Sequence, residues 1–167
     1  MKHLKVLHVV RHAKSSWDYE GTADIDRTLK SKGIRNAYTV SRRLKLANQV
    51  PEKIFASPAN RALHTSVIFA RVFEFPLSEI EINSVFYESS ADKIIDMIRK
   101  LDDNCNSIMI FGHNPDLTDL VNVFLKTPLD NIPTSGVVTL KFNSNSWQKI
   151  DRNNLDKNLF SFPDKDE

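Results

Sequence analysis

The segment from Lys5 to Trp17, KVLHVVRHAKSSW, joins an apolar run to two adjacent basic side chains. Its first part, within residues 4–10, is short, continuous and rich in β-branched residues, which predicts a strand buried on both faces. Arg11 and His12 follow directly, so the predicted strand ends in a guanidinium and an imidazole. Basic side chains at the end of a buried strand are typical of a ligand site at the edge of a sheet.

Strands and helices alternate along the rest of the chain. Short apolar runs predict further strands at residues 53–56, 81–86 and 106–111. Apolar residues repeat with helical spacing in four segments. The first has Ser31 as its predicted N-cap, and the third spans roughly residues 91–101. In the second and fourth, Ser57 and Asn114 are the predicted N-caps, and Pro58 and Pro115 take the first helical position. This order predicts a three-layer α/β sandwich with a mostly parallel central sheet and helices on both faces.

The C-terminal part of the chain lacks the helical spacing. GVVTLKF (136–142) and WQKID (147–151) flank the turn-like NSNS, which predicts a hairpin that extends the sheet. The last dozen residues are polar and acidic, and we expect them to fray after Phe160 and Phe162 dock. Residues 18–30 are predicted to be a surface loop.

Size and composition limit the kind of protein. A chain of 167 residues suits one globular domain, which we expect to span residues 1–167. The 23 basic and 21 acidic residues nearly cancel, so the overall charge favours neither a nucleic acid nor a membrane as partner. Cys105 is the only cysteine, which excludes an internal disulfide and fits a reducing compartment. No apolar run approaches the length of a membrane span, and we expect a cytoplasmic protein.

Polar side chains follow each of the four predicted parallel strands. In strand order they are Arg11 with His12, Arg61 in the opening turn of the next helix, Glu88, and His113. Because the carboxyl ends of parallel strands share one edge of a sheet, we expect these side chains to converge. Arg61 also opposes the positive end of its helix dipole, so an anionic partner is expected beside it.

Two arginines and two histidines beside helix N-termini fit a phosphate dianion. A neutral imidazole can attack phosphorus through one ring nitrogen if the other donates its proton to a fixed acceptor. Neighbouring guanidinium charges lower the pKa of His12 and keep the ring nucleophilic, while the arginines and His113 stabilise charge on the phosphoryl oxygens. Glu88 is the expected acid, which protonates the leaving group and later activates water.

At these residues the chain resembles the histidine phosphatase superfamily, whose members range from phosphoglycerate mutases to acid phosphatases. VVRHAKSSW is similar to the Arg-His-Gly motif of that superfamily, with Ala13 in place of the glycine. RHAKSSW, DIDRTLKSKG, SPANRALHT, FGHNP and PTSG follow the order found in its short SixA-like branch, described as phosphohistidine phosphatases. The resemblance implies that His12 is the phosphorylated nucleophile and His113 the second histidine of the site. It also implies that Arg11 and Arg61 clamp the phosphate.

The resemblance extends to residues around this centre. Glu88 lies where mutase-like members place their acid, and Lys14, Ser15 and Asn114 are expected to line the substrate pocket. The chain lacks room for the insertions that enclose a small sugar phosphate in the mutases, so the site could admit a phosphorylated side chain of another protein. The resemblance thus implies metal-independent, cofactor-free hydrolysis of a phosphomonoester or phosphohistidine, with protein phosphohistidine as the leading substrate class.

Other functions stay open at this stage. One is a small-molecule phosphomonoesterase or mutase of the same superfamily, and another is a non-catalytic module that binds phosphate without turnover. A metallohydrolase built on His12, His113 and Glu88 is disfavoured, because the arginines repel a cation and no close His-x-His or His-Glu-x-x-His spacing exists. The residues given structural roles are His3, His8 and His64, Asp24 and Asp26 within the loop, and Trp17 and Trp147 as packing residues.

Overall fold

Six strands form one sheet in the computed structural model, which describes residues 5–17 and 20–164. They are β1 (Lys5–Arg11), β2 (Lys53–Ala56), β3 (Ile80–Ile82), β4 (Ser107–Gly112), β5 (Val137–Phe142) and β6 (Leu155–Ser161). The spatial order is β3-β2-β4-β1-β5-β6, in which the first four strands are parallel and the last two are antiparallel to their neighbours. His3 and Leu4, which the sequence analysis placed before and within the first strand, lie outside the described residues, as do residues 18 and 19 of the predicted loop.

Four helices connect the strands and cover both faces of the sheet. They are α1 (Ser31–Leu46), α2 (Asn60–Phe73), α3 (Ala91–Arg99) and α4 (Asp116–Phe124). Along β1, Leu7 and Val9 belong to the apolar cluster under α3 and α4, whereas Val10 belongs to the cluster under α1 and α2. Side chains alternate across a strand, so the two clusters lie on opposite faces. The predicted three-layer α/β sandwich is therefore confirmed.

Across the described ranges, no helix has the length and apolar character that crossing a membrane requires.

The start of α2 differs from the prediction. The sequence placed its N-cap at Ser57 and its first residue at Pro58, but the helix begins at Asn60. The Ser57 hydroxyl accepts the backbone N–H of Ala59 (3.1 Å) and lies 2.9 Å from Nε2 of His113. This serine therefore shapes the turn before the helix and contacts a predicted site residue.

Two other helix starts shift as well. Pro115 occupies the N-cap position of α4 rather than its first turn, and Asn114 precedes it. Ser31 is the first residue of α1, and Lys30 is its N-cap. In both cases the polar residue near the boundary was recognised, but its position relative to the first helical turn was not.

The predicted hairpin has the wrong second strand. Trp147–Lys149, inside the WQKID segment, forms a 3₁₀ turn in which the Trp147 ring is fully buried and its Nε1 donates to the carbonyl of Cys105 (2.8 Å). The partner of β5 is β6, which lies in the polar C-terminal stretch where no strand was predicted. β6 is an edge strand with mostly exposed side chains on both faces, so it lacks the alternation that identifies a strand. The third strand is also shorter than predicted, because Ser84–Phe86 forms a 3₁₀ turn.

Gly33 brings α1 directly against the turn that follows β1. A Cβ atom at this position would collide with the backbone carbonyl and amide of Lys14. The N–H of Lys30 also donates to the Lys14 carbonyl (2.9 Å), which ties the residue before α1 to the same turn. Glycine in a helix costs some stability, and here it permits the close approach that fixes the RHAK turn.

His8 has the structural role that the sequence predicts. Its ring is 1% exposed in the middle of β1, and Nδ1 lies 2.7 Å from the hydroxyl of Thr139 on β5. Burial, with a smaller effect of the Lys141 charge, lowers the pKa of His8 to about 3. The ring is therefore held neutral inside the sheet.

Acidification is predicted to destabilise the fold through this ring. Between the usual pKa of 6.5 and about 3, the unfolded chain binds a proton at His8 and the folded chain does not. The free energy of unfolding therefore falls as the pH is lowered through that window, by up to about 1.4 kcal/mol per pH unit. Thermal denaturation from pH 7 to pH 5 should show a shallower decline for His8→Gln than for the wild type, and parallel declines would contradict the assignment.

Candidate active site

The structure brings His12 and His113 together at the carboxyl edge of the sheet. Their ring centroids are 5.1 Å apart, and the rings are tilted by 50°. The pairing of β1 with β4 places Arg11 beside Gly112, and the N–H of His12 donates to the Gly112 carbonyl (3.1 Å). The residues that follow the two strands therefore lie side by side.

His12 is a neutral imidazole with one free nitrogen. Its Nδ1 lies 2.7 Å from the carbonyl of Ala13, an acceptor only, so Nδ1 carries the ring proton and Nε2 keeps its lone pair. The ring is 8% exposed. Burial, together with the charges of Arg61 and Arg11, lowers the pKa of His12 to about 4 despite the opposing hydrogen bond to Ala13. At neutral pH Nε2 of this ring is unprotonated, the state that a nucleophilic imidazole requires.

His113 is fixed in the complementary state. The Ser57 hydroxyl already accepts the Ala59 N–H, so its own proton can be donated to Nε2 of His113. That bond places the ring proton on Nδ1, which is buried and has no protein partner in the described residues. Burial, then the neighbouring His12 and the Arg61 charge, lower the pKa of His113 to about 3. This ring can donate a hydrogen bond to a ligand while remaining neutral.

Both arginines are anchored and still offer a donor. Arg11 donates from Nη1 to the carbonyl of Ile132 (2.9 Å), and Arg61 donates from Nη1 and Nη2 to the backbone carbonyl and carboxylate of Asp24 (2.7 and 3.0 Å). In each case Nε is buried without a protein partner among the described residues. Their positive charges both act on His12. The arrangement suits an oxyanion that accepts from several fixed N–H groups.

Asp24 is the anionic partner expected for Arg61. Its Oδ2 accepts from Arg61 and from the hydroxyl of Tyr87 (2.8 Å), and its Oδ1 accepts from Arg27 (3.1 Å). Partial burial raises the pKa of Asp24, but these hydrogen bonds outweigh it and lower that pKa to about 2. Sequence reasoning gave Asp24 only a loop role. One acid in a polar loop carries no signal for a partner on a distant helix.

Arg27 links this network to the residues after His12. Its Nη2 donates to the Ser15 hydroxyl (2.5 Å), its Nε donates to the Ser16 carbonyl (3.2 Å), and its guanidinium carbon lies 3.3 Å from the centre of the Trp17 ring. Trp17, predicted to be a packing residue, is 71% exposed and packs against the Arg27 side chain rather than within an apolar core. The guanidinium stabilises an exposed indole by a cation–π contact, which replaces burial.

Thr65 is a second residue that sequence reasoning missed. It is fully buried on α2, and its hydroxyl accepts the backbone N–H of Ala13 (2.9 Å) and donates to the carbonyl of Arg61 (2.7 Å). One side chain thus fixes the turn that carries His12 against the helix that carries Arg61. The Arg-x-x-x-Thr spacing, which stacks the two on one helix face, was the available signal.

The remaining predicted site residues lie at the margins. Glu88 is exposed with a left-handed backbone (φ 47°), and it makes no hydrogen bond or ion pair within the described ranges. The Lys14 side chain is exposed. The Asn114 side chain donates to Oδ1 of Asn131 (2.8 Å) and to the backbone carbonyl of Ile132 (3.0 Å), so it secures the loop that holds Arg11. Substrate contacts of Lys14, Ser15 and Asn114 stay predictions.

The residues that the structure describes include no group of three His, Cys, Asp or Glu side chains placed to hold a metal ion. The donors at the site are instead N–H groups and guanidinium cations, which prefer an anion.

Removing the Asp24 charge is predicted to change the acidity of Tyr87. The hydrogen bond to the carboxylate, assisted by partial burial, raises the pKa of Tyr87 to about 12. In Asp24→Asn the phenolate no longer faces an anion, so this pKa should fall back towards 10, the ordinary value. Phenolate absorbance as a function of pH, corrected with Tyr87→Phe, measures the change. Asp26→Asn, which removes the same charge from an exposed neighbour, should leave the titration unaltered.

Comparison with known proteins agrees with this geometry. Residues 7–92, just over half of the chain, match the histidine phosphatase superfamily (branch 1). An uncharacterized protein of Mycobacterium leprae is 26% identical over 166 residues, covering 92% of this chain and 99% of the relative. The fold is similar to that of a candidate phosphohistidine phosphatase SixA from Agrobacterium tumefaciens, with a TM-score of 0.74 and 25% identity over 83% of this chain and 92% of the other. It is also similar to the protein histidine phosphatase SixA complexed with tungstate, with a TM-score of 0.75 and 19% identity over 94% of each chain. The chain therefore belongs to the histidine phosphatase superfamily, and it is a phosphatase.

Proposed function

We propose that this phosphatase hydrolyses phosphohistidine in proteins, and activated phosphomonoesters, through a phosphate carried covalently on His12. The observation that carries the proposal is the state of the His12 ring. Its proton is held on Nδ1 by the Ala13 carbonyl, and its pKa of about 4 leaves Nε2 unprotonated at neutral pH. An imidazole fixed in this way needs no separate base before it attacks phosphorus.

In the first step, Nε2 of His12 forms a bond to phosphorus as the bond to the leaving group breaks. The leaving group departs with the electron pair, and the His12 ring becomes a phosphorylated imidazolium. In the second step, water attacks phosphorus, the P–N bond breaks, and its electron pair returns to Nε2. Both hydrogens of the water leave with the product as dihydrogen phosphate, which then equilibrates with the solvent.

The groups around His12 suit the transferring phosphoryl group. Arg11 and Arg61 each present a buried Nε–H, and His113 presents its Nδ1–H, without competing protein partners in the described part of the chain. Phosphoryl transfer passes through a loose transition state whose charge is spread over the equatorial oxygens, so fixed donors stabilise it effectively. Asp24, Ile132 and Ser57 hold these three side chains in place before any ligand arrives.

The surroundings of the site favour leaving groups that need no proton at the breaking bond. Glu88 is exposed and makes no hydrogen bond or ion pair within residues 5–17 and 20–164, and the low pKa of Asp24 keeps its carboxylate ionised at neutral pH. A phosphorylated imidazole with a proton on its distal nitrogen departs as neutral imidazole, and an aryl phosphate departs as a phenolate. An alkoxide is far more basic and requires an acid.

Two further considerations support a protein as the substrate. The first is that solved proteins of similar fold include one named as a protein histidine phosphatase. The second is that this chain has no insertion to enclose a small sugar phosphate, as in the short branch that it resembles. We also propose a cytoplasmic location, because Cys105 is a single buried thiol without a disulfide partner.

Replacement of the nucleophile should separate binding from turnover. His12→Ala is expected to lower the hydrolysis of an aryl phosphate by about a thousandfold or more, since no other group replaces Nε2. Its affinity for tungstate should stay within about tenfold of the wild type, because the N–H donors remain. Arg61→Ala should weaken both. Steady-state kinetics and calorimetric titration provide the two measurements.

The covalent step has its own readout. A radiolabelled phosphodonor should leave an acid-labile, base-stable label on the wild type and none on His12→Ala. His64→Ala, which alters a half-buried histidine on α2, is the matched control and should retain the label. Full activity in the His12 variant would refute the mechanism.

Leaving-group dependence tests the substrate class. We expect kcat/KM for an aryl phosphate to exceed that for an alkyl phosphate by about a hundredfold or more, because no acid protonates the alkoxide. Glu88→Gln should alter neither rate by more than about twofold. If that variant instead slowed only the alkyl phosphate, Glu88 would be the acid and the preference for phosphohistidine would lose this support.

A further inference from the structure

Ser135, in the PTSG segment before β5, combines two unfavourable features. Its backbone is left-handed (φ 61°), a conformation that non-glycine residues adopt rarely and at some cost. Its side chain is 1% exposed, and its hydroxyl oxygen has no hydrogen-bond partner in the described residues. A buried hydroxyl without a partner is destabilising. The left-handed backbone and the unpartnered hydroxyl of Ser135 therefore both need an explanation.

The backbone of Ser135 is bound directly to the site. Its N–H lies within hydrogen-bonding distance of the carbonyls of Arg11 (3.1 Å) and His12 (3.2 Å). On either side of it, the N–H of Arg11 donates to the Gly136 carbonyl (3.1 Å), and the Arg11 side chain donates to the Ile132 carbonyl (2.9 Å). These contacts fix Ser135 against the turn that carries the nucleophile.

The unpartnered polar atoms are concentrated at this place. In residues 5–17 and 20–164, five buried side-chain polar atoms lack a partner, and they belong to Arg11, Arg61, Arg99, His113 and Ser135. Three of the other four belong to Arg11, Arg61 and His113, the residues of the proposed phosphate site, and Arg99 lies on α3. Buried donors that share a region and lack protein partners are best explained by one shared ligand.

We infer that the hydroxyl of Ser135 is a further hydrogen-bond donor to the phosphoryl group. The inference rests on the proposed function, since the same oxyanion accepts from Arg11, Arg61 and His113. The left-handed backbone of Ser135 occurs together with its N–H contacts to the Arg11 and His12 carbonyls. The hydroxyl then donates to a phosphoryl oxygen, and no covalent bond of Ser135 forms or breaks.

A serine buried for structural reasons looks different in the same chain. Ser41 on α1 is fully buried, and its hydroxyl donates to the carbonyl of Ala37 (2.7 Å). Ser41 therefore provides a matched control, a buried hydroxyl of the same type with its partner supplied by the protein.

The test is calorimetric titration with tungstate, together with inhibition of aryl phosphate hydrolysis by inorganic phosphate. Ser135→Ala should weaken tungstate binding by about tenfold or more, the effect of removing a neutral donor from a charged acceptor. The thermal midpoint should stay the same or rise, because the lost hydroxyl had no partner. Ser135→Gly also relieves the left-handed strain and should show the same loss of affinity. Ser41→Ala should bind tungstate as the wild type does.

Failure of this inference can be distinguished from failure of the site. If Ser135→Ala and Ser135→Gly bind tungstate as tightly as the wild type while Arg61→Ala does not, the Ser135 inference is overturned and the site stands. If Arg61→Ala also binds normally, the proposed phosphate site is wrong and the inference falls with it. A lower thermal midpoint with unchanged affinity would give Ser135 a structural role only.

Discussion

The register between β1 and β4 is the constraint on which the site depends. It sets Arg11 opposite Gly112, so that the next residue on each strand is a histidine and the two rings meet. Side chains on a strand alternate in direction, so a slip of one residue would send one ring to the other face of the sheet. The fully buried apolar residues of both strands, which pack in two separate cores, hold this register.

Burial and the neighbouring guanidinium charges both lower the pKa values of His12 and His113. Both are less than a tenth exposed and lie near guanidinium cations, and each of these effects lowers the pKa of the ring. Asp24 offsets part of the positive charge through its ion pairs with Arg61 and Arg27, and its own charge opposes the lowering of the His113 pKa without reversing it. The arginines are thereby stabilised in a partly buried site, and the imidazoles stay neutral between them.

Features that depend on neighbouring residues were predictable from the sequence, whereas those that depend on distant partners were not. β2 was predicted to the residue, because a short apolar run between polar residues has few alternatives. The role of Asp24 depends on Arg61, on a helix far along the chain, and nothing local distinguishes it from Asp26. β6 was missed because an exposed edge strand lacks alternation. Trp17 was predicted to be a packing residue, but its partner, the Arg27 guanidinium that stacks on it at the surface, could not be identified from the sequence.

The two tryptophans differ in a way that is useful for spectroscopy. Trp147 is fully enclosed, whereas the indole of Trp17 faces solvent on one side and the guanidinium of Arg27 on the other. That guanidinium shares the Asp24 carboxylate with Arg61, so a displacement of Arg61 reaches the exposed indole through two hydrogen-bonded contacts. The exposed indole is therefore the fluorophore whose emission we expect to respond, without any added label, when Arg61 is displaced.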